Sequence, residues 1–146
     1  MNKYAVWFRA LVWLGVIQNC VMGIPAIFAP NWLLELLHQR PTEDPVWTSF
    51  AGLLVVLLSL FYIPGGNDPY RYTSNAVLAI FARSQGVIFF FFIYPNVYPV
   101  FGIIDLVFFL FQAPLLILTM LNKPQAYTPD NDDKSLQRRD KSPSLQ

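Results

Sequence analysis

Four long apolar runs, at residues 4–29, 46–63, 70–94 and 99–121, alternate with short segments rich in proline, glycine and charge. Each run meets or approaches the ~20 residues that a helix needs to cross the hydrocarbon of a bilayer. The pattern therefore predicts an all-α, integral membrane four-helix bundle occupying residues 1–121. Between the first and second runs the chain reads Pro30-Asn31-Trp32-Leu33-Leu34-Glu35-Leu36-Leu37-His38. This stretch is too short to span, but Leu33, Leu36 and Leu37 share a helical face, and Asn31 stands where an N-cap belongs. A short interfacial helix over 31–38 is expected, with Trp32 at the headgroup level.

Punctuation sets the ends. Asp44-Pro45 and Asp68-Pro69 each place a capping acceptor before a proline at the first helical position, where its missing N–H costs nothing. Pro64-Gly65-Gly66-Asn67 reads as a stop and turn after Ile63. Tyr94, Pro95, Tyr98 and Pro99 mark an interfacial turn. Pro25 and Pro114 fall inside spans, where each removes a backbone donor; at Pro114 the Leu110 carbonyl loses its usual partner. From Asn122 the composition turns to Pro, Gln, Asp, Lys, Arg and Ser, so residues 122–146 read as a disordered tail. Lys3 followed by an apolar run also suits a signal peptide, but Arg9, Gln18 and Asn19 interrupt its apolar core, and a retained helix is the expectation.

Composition supports the same class: 55% of residues are hydrophobic and only 13% charged, about half the charged share of a soluble domain. A net charge of +1 supplies no basic field for nucleic acid. One cysteine and one histidine cannot build a metal centre, so no metal and no cofactor held by metal ligands is expected. Lys3, Arg71 and Lys123, with Lys134, Arg138, Arg139 and Lys141, fall on one side of a four-span chain, and only Arg40 falls on the other. The positive-inside rule then puts both termini in the cytoplasm.

Two ionisable residues stand where lipid disfavours them. Counting at 1.5 Å per residue, Arg83 lies roughly 13 Å above one boundary and Asp105 roughly 9 Å below the other, in a core about 30 Å thick. A gap of about 8 Å is within reach of a snorkelling arginine, and the turn near Pro95 makes the two helices antiparallel neighbours. Ala76, Ala79, Arg83 and Gly86 share one face, and Gly102, Asp105, Phe109 and Gln112 another. Gly15, Asn19 and Gly23 form a stripe on the first helix, with Gln18 near the height of Asp105. One polar core is predicted from Gln18, Asn19, Ser59, Arg83, Gln85, Asp105 and Gln112. It reads equally as a latch that fixes helix pairing and as a site for protons, ions or polar headgroups. Arg9, about one turn inside the boundary, is satisfied by snorkelling.

No phosphate-binding loop, nucleophile elbow or His-Glu-x-x-His helix occurs, so hydrolytic or metal-assisted catalysis has no motif to stand on. The layout of four short spans, a first helix bearing Arg9 and Gly15, a connection beginning at Pro30 and an arginine in the third span resembles the DoxX-like group of small bacterial membrane proteins. The resemblance covers about Val6 to Leu121. It implies an accessory membrane subunit linked to quinol-dependent redox complexes. Two functional expectations follow: a non-enzymatic accessory or assembly subunit with other membrane subunits as partners, and a small transporter or proton-conducting protein using Arg83, Asp105 and Gln112.

Overall fold

In the computed structural model, which describes residues 2–95 and 98–123, the long apolar runs are helical over most of their length. Helix α1 is Lys3–Phe28, α2 Pro30–Leu36, α3 Val46–Asn67, α4 Thr73–Ile88 and α5 Pro99–Leu121; a π-helical turn, Phe89–Ile93, prolongs α4. Four of these, with the π turn counted into α4, are long and apolar enough to cross a membrane. The predicted fold class is the observed one.

The long helices pack in a ring in the order α1, α3, α4, α5 and back to α1, which leaves α1 and α4 on a diagonal. The pair α1 and α3 makes the most extensive contact. Small residues make it possible: a side chain at Gly52 would press on the Gly23 carbonyl, so the two backbones nearly touch. Phe8, Val12 and Val16 of α1, Tyr62 of α3, Ala76 and Ala79 of α4 and Leu116 of α5 form the apolar core. The spacing of four on α1 and of three on α4 is what turns one stripe of each inward.

At one end of the bundle, Asn2 accepts from Ala5 N as the cap of α1, and its amide donates to the Asn122 carbonyl at 2.9 Å. The first and last helical turns are thereby tied at the same membrane face. Exposed aromatic residues ring the opposite end, among them Phe28, Trp32, Trp47, Phe92 and Tyr94, as expected of side chains at a headgroup boundary.

Several element ends differ from the sequence reading. Helix α3 does not stop at Ile63 but runs through Pro64, Gly65 and Gly66 to Asn67. The two glycines are buried against α4 and α1, where a Cβ at Gly65 would overlap the Ala76 backbone and one at Gly66 would lie 2.7 Å from Val12 Cγ1. Packing holds in helical form a segment whose composition favours a turn. The Trp13 indole donates to Asn67 Oδ1 at 3.1 Å and secures that last turn.

Asp68 accepts from Tyr70 N and Arg71 N as expected of a cap, but regular helix begins only at Thr73. Asp44 Oδ1 accepts from Val46 N, with Pro45 one residue ahead of α3. Helix α2 begins at Pro30 and ends at Leu36, short of the expected 38, because the following chain turns at His38, whose φ is 57°. Asn31 does not cap it. Its side chain instead exchanges hydrogen bonds with the Thr42 backbone, at 3.0 and 3.3 Å, and pins the connection to α2. The interfacial turn is described only at Tyr94, Pro95, Tyr98 and Pro99, and the tail beyond Lys123 lies outside the described residues.

The polar centre of the bundle

Arg83 projects from α4 across the bundle and is 6% exposed. Three small residues prepare its path: Ala76 and Ala79 below it on the same face, and Gly15 on α1, where a Cβ would stand 2.7 Å from Nη2. Nη1 donates to Asp105 Oδ1 on α5 at 2.6 Å and to Gln18 Oε1 on α1 at 3.2 Å. Nη2 faces the Gly15 carbonyl at 3.4 Å and Asn19 Oδ1 at 3.5 Å, both at the long limit of a hydrogen bond. The guanidinium also lies over the Phe108 ring, 4.6 Å from its centroid, which adds a cation–π attraction.

The network reaches the remaining helix through Asn19, whose amide donates to Ser59 Oγ at 2.8 Å; that hydroxyl in turn donates to the Val55 carbonyl. One arginine therefore connects all four spans. Asp105 is held from behind by Gly86, since even a methyl there would overlap Oδ2. The absence of a side chain at Gly86 lets α5 bring its carboxylate against α4, within reach of an arginine nearly one turn away.

Five of the seven predicted residues meet in this cluster: Gln18, Asn19, Ser59, Arg83 and Asp105. Gln85 does not belong to it and is exposed on the outer surface of α4. It follows Arg83 by two residues, about 200° around a helix, and so turns away from the cluster. Gln112 is buried but stands apart, donating from Nε2 to the Leu11 carbonyl at 3.1 Å. It forms a second tie between α5 and α1, one turn of α1 away from the Gly15 carbonyl.

Phe108 and the Gly15 carbonyl join the site without having been legible as polar-core residues. Tyr62 is 3% exposed and belongs to the apolar core. Asp105, Gln112 and Thr119 recur every seven residues on α5, and this spacing turns all three toward the bundle; Thr119, fully buried, donates to the Leu115 carbonyl. Among the described residues no three His, Cys, Asp or Glu side chains converge as a metal site would require.

Fold and site together define a polytopic membrane protein: a four-span bundle organised around an intramembrane ion pair. Comparison with family models, with curated proteins and with solved structures finds no match to the chain.

Proposed function

We propose that this chain is a non-enzymatic accessory or assembly subunit of a larger complex in a bacterial inner membrane, with both termini in the cytoplasm. The observation that carries the reading is the way Arg83 spends its donors. Asp105, Gln18, the Gly15 carbonyl and Asn19 all lie within the bundle, so the charge serves to hold four helices in register. What the bundle offers its surroundings is an apolar and aromatic exterior, including Phe61, Phe81, Phe111 and Trp47, suited to lipid and to helices of membrane partners. The DoxX-like layout adds that such a complex is redox-linked.

Purification from native membranes in mild detergent tests the proposal. A partner is expected to co-elute in fixed stoichiometry, and a chain that elutes alone at every detergent and lipid ratio would remove the basis for an accessory role.

A second reading, a small proton-conducting or transport protein, is favoured by one feature. Asp105 gives only Oδ1 to Arg83, and its side chain retains 16% exposure. Purified protein in liposomes decides this: proton flux abolished by Asp105→Asn supports conduction, whereas flux equal to that of empty liposomes leaves the latch.

Orientation has its own test. In a chain with Cys20→Ala, cysteines introduced as Gln39→Cys and Ser142→Cys are expected to react from opposite sides, with only the first labelled by an impermeant reagent in intact cells. Labelling of both would overturn the four-span orientation.

A further inference from the structure

Gln85 carries an amide on the outer, lipid-facing surface of α4. Within the span Thr73–Ile93 it stands about 18 Å from one end and about 12 Å from the other at 1.5 Å per residue, too deep for so short a side chain to reach headgroup water. The other amides of the spans, Gln18, Asn19, Asn67, Asn75 and Gln112, are bonded within the bundle, whereas the Gln85 side chain has no partner among the described residues. Hydrocarbon offers an amide no hydrogen bond, so a glutamine at this depth calls for a polar group on a neighbouring helix.

The residues around it form a packing surface. Ser74, Leu78, Phe81, Gln85 and Ile88 are all exposed, and their spacing of four, three, four and three is that of a seam on which two helices wrap left-handed about each other. On the same face Thr73, Val77 and Phe81 make one ridge and Ser74 and Leu78 the next, and together they line a groove of about 400 Å³. A groove between two rows of residues four apart is what a ridge of a second helix fills.

Symmetry selects the occupant. Two copies inserted in one orientation associate about a twofold axis along the membrane normal, so α4 meets α4 in parallel and each seam residue meets its own copy at the same depth. An amide both donates and accepts, which makes Gln85 its own complement at such an axis. Arg83, the one charge of α4, is turned inward, so no charge on the seam repels the second copy. We propose that the chain forms a parallel homodimer through the outer face of α4, with the two Gln85 amides hydrogen-bonded to each other at the centre of the seam. Each copy keeps its own Arg83–Asp105 pair. The inference is separate from the accessory role, because it concerns the purified chain alone.

Energy transfer between donor- and acceptor-labelled copies of the full chain in liposomes, read over a range of protein-to-lipid ratios, tests it. The wild type is expected to dimerise, and Gln85→Leu to weaken association about tenfold, as loss of two interhelical hydrogen bonds implies. Gln85→Asn, which keeps an amide, should retain more of the association than leucine does. In a Cys20→Ala background, Leu78→Cys is expected to give a disulfide-linked dimer on mild oxidation, and Phe111→Cys, exposed on α5, is not. Transfer in the wild type no greater than random proximity produces would overturn the proposal, as would association unchanged by Gln85→Leu. A Phe111→Cys dimer formed as readily as the Leu78→Cys one would do so too. So would crosslinking of Leu78→Cys in native membranes to a different protein in place of the second copy. If Gln85→Leu does not fold, the two cysteine variants, which keep Gln85, decide alone.

Discussion

Asp105→Asn and Arg83→Gln, made singly, are each expected to destabilise the bundle by about 3–5 kcal/mol, the range found when one partner of a buried pair is removed. Asp105→Asn strands a guanidinium that cannot shed its charge, with only Gln18, Asn19, the Gly15 carbonyl and the new amide as acceptors. Arg83→Gln strands the carboxylate and also withdraws the donors that hold α1 to α4 and α5. The double variant leaves neither charge and two amides able to bond each other, so it should recover part of the loss. Unfolding in detergent by titration with a denaturing surfactant, read for wild type, both singles and the double, gives the coupling directly. Losses that simply add would mean that the 2.6 Å contact between Arg83 and Asp105 contributes nothing beyond its two separate environments.

Gly86→Ala is expected to destabilise by roughly 1–3 kcal/mol, the usual cost of forcing an extra methyl into a packed site. The sign is informative because helix propensity alone would favour alanine over glycine by about 1 kcal/mol. The new Cβ overlaps Asp105 Oδ2, so either α4 and α5 separate or the carboxylate swings away from Arg83. In an Asp105→Ala background the obstructing oxygen is absent and the nearest remaining atom, Cβ of residue 105, is 3.3 Å away. There Gly86→Ala should be neutral or stabilising. Stabilisation in the wild-type background instead would show that the carboxylate does not lie against Gly86.

These two experiments probe a centre that was partly readable without coordinates. A charge within an apolar run is conspicuous because lipid penalises it, and the glycine and alanine residues spaced three and four from Arg83 signal close approach. Arg83 and Asp105, which these signals pair, are bonded to each other, and Gln18, Asn19 and Ser59 lie in the same network. Gln85 lies instead on the outer surface of α4, two residues and about 200° around the helix from Arg83. Gln112 stands apart and bonds to the Leu11 backbone, a partner that no residue type announces.

Hydrophobic periodicity alone determined that this chain is all-helical with four spans. The reason is general: apolar segments of that length satisfy their backbone only within themselves. The extent of α5, Pro99–Leu121, was legible to the residue because Pro99 sits at its first turn and polar chain follows Leu121. Tertiary structure decided where opposing local signals met. At Pro64-Gly65-Gly66 the sequence signals a stop, yet burial of both glycines against Ala76 and Val12 carries α3 onward to Asn67. At Pro69 the cap is formed, but α4 waits until Thr73. The ring order was likewise beyond any single helix's pattern, since amphipathicity says which face is buried and not which neighbour buries it. That order places α1 diagonally from α4, and Arg83, entering over Gly15, bridges the two.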